Sequence, residues 1–186
     1  MLILPRDENN QIDINDIPKF VSEFYTMTLE WHALERWITN EIEESNLEIN
    51  PPFQRGYVWN EEQKIRYVEY ILKNGTSSRD IYFNNPIYFH NEKAQAYKDY
   101  VCVDGLQRIT AVRDFMTNKF PVFGQYYRKD FKHKRFPTGF FNCHIAQIIK
   151  ESDVMQWYID LNTGGTVHTE KDLKFAINRI KELRGD

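Results

Sequence analysis

The chain has 186 residues, 41% of them hydrophobic, and a formal net charge of −3. That is enough for one domain around a single sizeable core, and no apolar run approaches the roughly 20 residues of a membrane span. Only two cysteines occur, Cys102 and Cys143, far apart and without a Cys-x-x-Cys spacing, which argues against a disulfide scaffold or a cysteine-built zinc site and makes a reducing, cytoplasmic setting the default.

The first residues, MLILPRDENN, lack the basic start and long apolar stretch of a signal peptide. Residues 1–50 carry eleven acids against Arg6, Lys19 and Arg36, a net of −8, so the rest of the chain is +5. A polyanionic partner would meet that basic rear, although scattered solvated charge gives the same balance.

In chain order, Trp31, Leu34, Ile38 and Ile42 recur at helical spacing and predict an amphipathic helix from Thr28 to Glu44. The following LEINPPFQRGYVW should be extended or looped, because Pro51 and Pro52 cannot lie inside a helix. A second helix follows Asn60, a good N-cap that forms a capping-box pattern with Gln63. Ile65, Val68, Ile71 and Leu72 would be its buried stripe, and Gly75 could end it in the left-handed conformation. IYFNNPIYFH (81–90) and AYKDYVCVD (96–104) read as the two strands of a hairpin. After Asp104 the period changes, and Ile109, Val112, Phe115 and Met116 share one helical face. Residues 119–143, broken by Pro121, Gly124, Pro137 and Gly139, read as loop and short strand. Ser152 to Leu161 predicts a helix with Val154, Trp157, Tyr158 and Leu161 inward, broken by NTGGT. Thr169 would cap a last helix, with Asp172 at its third position and Leu173, Ala176, Ile177 and Ile180 inward. The sum is one α+β domain.

Four segments carry candidate chemistry. In VDGLQR, Gly105 permits close approach of backbone to a ligand, and the helix starting near Gln107 offers unpaired N–H groups to an anion. Arg108 can grip a phosphate with two donors, and Asp104 can hold a metal-bound water or orient Arg108. The same corner also reads as a plain turn, with Asp104 capping the helix and pairing with Arg108. In PPFQRGYVW, Arg55 lies among aromatics and can clamp a phosphate or stack on a base, or simply cover Phe53 and Trp59. Asn162, Thr163, Gly164, Gly165, Thr166 and His168 form a polar loop that can wrap a phosphate, or only join two helices. It lacks the Lys-Ser/Thr ending of a P-loop. Tyr126 to Phe136 interleaves Arg128, Lys129, Lys132, Lys134 and Arg135 with four aromatics. That mixture suits a nucleic-acid backbone with base stacking, against the alternative of a solvated charged face. The five histidines show no metal-ligand spacing, and no HExxH, His-Asn-His or GxSxG motif occurs.

Three stretches in this order, PPFQRGYVWNEEQKIRYVEYIL, YVCVDGLQRITAVRDFM and WYIDLNTGGTVHTEKDL, resemble the N-terminal domain of GmrSD-type modification-dependent restriction enzymes, of the ParB/sulfiredoxin-like superfamily. The likeness covers roughly residues 46–178. A Gln-Arg-x-x-Tyr/Trp element is matched by Gln54, Arg55 and Tyr57 to Trp59, and an Asn-x-Gly-Gly element by Asn162, Gly164 and Gly165. Asp104, Gly105, Gln107 and Arg108 match an Asp-Gly-Gln-Gln-Arg element in which Leu106 replaces the first glutamine.

The resemblance implies a small mixed sheet flanked by helices at 46–186, with residues 1–45 as an acidic helical extension packed on it. It implies an NTP, ATP or GTP, at the corner, with Asp104, Arg108 and Arg55 catalytic and Asp104 anchoring Mg²⁺. Gly105, Leu106, Gln107, Gln54, Tyr57 and the 162–168 loop would hold the nucleotide, and DNA, modified or not, would be the partner. The reaction implied is NTP hydrolysis. Two alternatives stand beside it: a kinase acting on a hydroxyl of a modified base or small molecule, and a non-catalytic module that binds DNA or protein. The His-Asn-His nuclease half of such enzymes is missing from this sequence.

Overall fold

The computed structural model describes residues 4–17, 24–54, 56–86, 100–163 and 170–184. Four strands form one mixed sheet: β1 (Phe24–Glu30), β2 (Asp80–Asn84), β3 (Val101–Asp104) and β4 (Phe140–Ala146). Their order is β1-β4-β2-β3, with β4 antiparallel to β1 and parallel to β2, and β2 antiparallel to β3. The helices are α1 (Trp31–Ser45), α2 (Glu61–Leu72), α3 (Leu106–Met116), α4 (Glu151–Thr163) and α5 (Glu170–Arg184). The α+β class and the small mixed sheet are as the sequence predicts. Among the described residues, no helix is long and apolar enough to cross a membrane.

Side chains alternate across the sheet, so it feeds two cores. On one face, Leu29, Ile81, Phe83, Cys102, Phe141, Cys143 and Ile145 pack against Trp31, Leu34 and Ile38 of α1, Val68 and Ile71 of α2, and Ile109, Val112 and Phe115 of α3. On the other, Val101, Val103 and Ala146 pack against Val154, Trp157 and Tyr158 of α4 and Ala176 and Ile180 of α5. Each of the valine, leucine, isoleucine and phenylalanine side chains among them, fully buried, contributes roughly 1.5–3 kcal/mol. Both cysteines are free and buried, and desolvation pushes each thiol up to about 12.

Local signals hold where they are strongest. Asn60 and Gln63 form the reciprocal capping box at the start of α2. The end of α2 differs: Asn74 takes the left-handed conformation, at φ 67°, and Gly75 does not. Asparagine tolerates that conformation, and Gly75 is needed for another reason. The Tyr70 ring lies 2.4 Å from where a Gly75 Cβ would stand.

Four further expectations change. Thr28–Glu30 belong to β1, not to α1, because their backbone groups pair with 140–142 of β4. Ile42 is exposed, and Leu47, folded back by left-handed Asn46, enters the core at that end. β4 runs on to Ala146, past the loop-rich segment in which only short strand was expected. Finally, α4 continues through Asn162 and Thr163, so the NTGGT break begins no earlier than Gly164. The paired parts of the 81–104 hairpin are antiparallel as expected; residues 87–99 and the Thr169 cap lie outside the described residues. Residues 24–45, assigned to the acidic extension, supply β1 and α1 to the sheet and the larger core.

One buried polar side chain joins the sheet to the segment between β4 and α4. Asn84 is fully buried at the end of β2, donates from Nδ2 to the Ile148 carbonyl at 3.0 Å and accepts the Ile148 N–H at 2.7 Å. Asn84→Ala leaves both backbone groups unpaired, and urea unfolding should show a loss of about 2–3 kcal/mol. Unchanged stability would mean that water takes over both bonds.

Candidate functional site

The corner between β3 and α3 is built around one glycine. Gly105 has φ 120°, and a Cβ there would stand 2.5 Å from Ile81 Cγ2. The first intrahelical bond runs from the Ile109 N–H to the Gly105 carbonyl at 2.9 Å. The N–H groups of Leu106, Gln107 and Arg108 therefore precede the helical ladder and face outward from its start. Gly105 itself is the N-cap, with no side-chain cap bond, so Asp104 does not cap the helix. Leu106 points into the larger core and is 2% exposed, which turns it away from any ligand on the corner.

Asp104 and Arg108 form an ion pair one helical turn apart. The Arg108 side chain is 19% exposed. Burial alone would lower its guanidinium pKa, but the charge and hydrogen bond of Asp104 outweigh burial and raise it. Arg108 Nε is buried and has no hydrogen-bond partner among the described residues.

Two glutamines fasten the 51–60 loop beside this corner. Gln54 Nε2 donates to the Cys102 carbonyl at 2.6 Å. Gln107 Nε2 donates to the Gly56 carbonyl at 2.6 Å, and its Oε1 accepts the N–H groups of Val58 at 3.0 Å and Trp59 at 3.1 Å. The amides of Gln54 and Gln107 thus hold backbone, and through it the loop that carries Arg55. Arg55 lies outside the described residues, as do Gly164, Gly165, Thr166 and His168.

The remaining expected residues are dispersed. Tyr57 is exposed and lines a cleft of about 430 Å³ with Glu35, Lys64, Thr110, Arg113 and Lys119. Asn162 is buried and donates back to the Tyr158 carbonyl of its own helix at 2.7 Å, and Thr163 lies within 3.4 Å of the Asp160 carbonyl. In the basic segment, Arg128 bonds the Lys134 carbonyl at 2.9 Å and covers the Phe136 ring at 4.9 Å. Phe131 and Phe136 pack on the core, so they are not free to stack on bases. Lys129, Lys132, Lys134 and Arg135 stay exposed, with Arg135 Nε 3.6 Å from Glu30.

Compared with known families, residues 34–151 match the GmrSD restriction endonuclease, N-terminal domain. The chain belongs to this family. Membership gives a restriction-system context. No curated protein and no solved structure matches the chain. The GmrSD match contains the Gln54–Trp59 and Asp104–Arg108 elements, and it ends before Asn162.

Pairing across the sheet also assembles a polar row that sequence reading missed. The register aligns Thr26 with His144, His144 with Tyr82, and Tyr82 with Asp104. Thr26, His144 and Tyr82 lie on the α4 side of β1, β4 and β2, and the pairing reaches the corner at Asp104 of β3, across a register shift between Tyr82 and Phe83. Asp80 stands beside the row, 2.7 Å from His144 Nε2 and 3.2 Å from Asn142 Nδ2. Asp80, Tyr82 and His144 lie within the GmrSD match, and Thr26 precedes it. The available signal was a pair of polar residues two apart in each strand, Asp80 with Tyr82 and Asn142 with His144, on the face opposite Ile81, Phe83 and Cys143.

Gly105→Ala combines a left-handed φ with a clash against Ile81. It should cost about 1–3 kcal/mol from the backbone alone, read as a lower chemical-denaturation midpoint. A stability equal to that of the parent would show that the turn can relax.

Proposed function

We propose that this chain binds a nucleoside triphosphate, ATP or GTP, at the Asp104–Arg108 corner and hydrolyses it, in a cytoplasmic restriction system that acts on DNA. The observation carrying this reading is the largely buried Arg108 guanidinium, with an unpartnered Nε, set against a helix start with three N–H groups outside the ladder. A buried cation with a free donor and a positive helix end suits phosphate oxygens. Arg108 would neutralise charge that develops during phosphoryl transfer, and Arg55 would approach from the loop that Gln54 and Gln107 hold in place. The relation to the ParB/sulfiredoxin-like superfamily belongs to the same proposal.

Asp104 would fix the angle of Arg108, since its carboxylate already receives the guanidinium. It does not make a metal site alone: among the described residues, no three His, Cys, Asp or Glu side chains gather where one ion could sit. Mg²⁺ is therefore proposed as a companion of the nucleotide's phosphates and not as a resident ion.

Radiolabelled ATP and GTP, supplied with and without DNA, test the reading. Phosphate release should fall about 10²-fold or more in Arg108→Lys, which keeps the charge and loses the planar fork. If no nucleotide binds and none is hydrolysed under either condition, the proposal is wrong.

DNA would meet the exposed cations of the basic segment. Removing Lys132, Lys134 and Arg135 together should weaken DNA binding. It should also flatten the log–log salt slope by roughly 0.9 for each phosphate that is no longer neutralised. An unaltered slope would place DNA elsewhere on the molecule.

A further inference from the structure

The turn that leads into the basic segment holds an aromatic residue in an unfavourable backbone conformation. Phe123 has φ 51° and is followed by Gly124 at φ 81°. Among the described residues, the other non-glycine residues at positive φ are asparagines and one serine. Asparagine tolerates that region, whereas a bulky side chain is an outlier there.

The turn is held on every side. The Val122 N–H donates to the Tyr126 carbonyl at 2.8 Å, and the Tyr126 N–H donates back to the Val122 carbonyl at 2.9 Å. Phe120 and Val122 are buried in the larger core. Glu69 of α2 accepts the Phe123 N–H at 2.6 Å. Backbone strain persists only where the surroundings over-determine it, and it collects at sites that bind.

The strained turn presents a ring to solution. Phe123 is 39% exposed and Tyr126 46%. The Lys73 ammonium lies over the Phe123 ring, 5.3 Å from its centroid, and the Lys129 ammonium over the Tyr127 ring at 5.7 Å. From Lys119 to Phe136, six lysines and arginines stand against a single acid, Asp130. Phe131 and Phe136 are packed on the core, so Phe123 and Tyr126 are the exposed aromatics of this region.

We infer that Phe123 is a base-stacking residue for single-stranded DNA, with Tyr126 at the other end of the turn and the cations of the segment on the phosphates. This rests on the DNA reading above and names the form of DNA and the contact. With the Lys73 ammonium on one face, the ring has one face to offer. A wedge driven between stacked base pairs needs both faces, whereas an unpaired base needs one. Every base has a π-face, so the contact favours single strand over duplex without selecting a sequence. A turn fixed in advance presents the ring at little ordering cost.

The test is fluorescence anisotropy of a labelled oligonucleotide with the full chain, single-stranded or annealed to its complement. Phe123→Asn removes the ring and relieves the backbone, so its chemical-denaturation midpoint should equal or exceed that of the parent. Its affinity for the single strand should fall about 10-fold, the loss of one base stack. Phe123→Tyr, which keeps the ring, should bind as the parent does. Plots of log affinity against log salt should run parallel for the parent and Phe123→Asn, because no phosphate contact is lost. Unchanged single-strand affinity in Phe123→Asn overturns the inference. If removal of Lys132, Lys134 and Arg135 still flattens the slope in that case, the DNA reading stands without it. An equal loss on duplex, or an equal loss in Phe123→Tyr, also overturns the inference. So does a lower midpoint in Phe123→Asn, which assigns the residue to the fold. Failure of the parent to bind either form removes both proposals.

Discussion

There is no room for a side chain at residue 105. The backbone turns there against Ile81 of the neighbouring strand, and that approach sets where α3 begins and which way it faces. Once Leu106, Ile109, Val112 and Phe115 are inward, Gln107 and Arg108 must project off the core. Gln107 then reaches the 56–59 backbone, and Arg108 turns back to Asp104. A single steric limit thereby positions the loop, the ion pair and the three N–H groups ahead of the helical ladder.

The second face of the sheet is divided by what covers it. α4 and α5 bury Val101, Val103 and Ala146, while Thr26, Thr28, Asp80, Asn142 and His144 are left partly or fully open. Polar groups can sit on a half-covered sheet when they satisfy one another, and Asp80 does this for both His144 and Asn142. The corner and the polar row meet because Asp104 ends the strand that pairs with β2 at Tyr82.

Helices were legible in the sequence where their determinants are local. The Asn60–Gln63 capping box and the Ile109, Val112 and Phe115 face of α3 need only neighbours within a few residues. β1 and the far end of β4 were not, because each is defined by the other across more than a hundred residues of chain. Helical spacing from Trp31 onward was real, but it carried the predicted start back into a strand at Thr28. The corner was read correctly as a strand-to-helix turn, yet the amides of Gln54 and Gln107 hold loop backbone, a use that no local pattern signals. Thr26, Asp80 and His144 meet only through strand pairing, so histidine spacing could not reveal them. Charge in the basic segment was plain, but the inward turn of Phe131 and Phe136 depends on Phe115 of α3.

Cys102 and Cys143 lie in the same core from neighbouring parts of the sheet, and both thiols are held far from ionisation at neutral pH. Only the thiolate reacts with alkylating reagents and disulfides. The native chain is therefore chemically silent towards maleimides while folded. A cysteine introduced on the surface would be its one reactive thiol, so a fluorophore or spin label can be attached at a chosen point with both natural cysteines left in place.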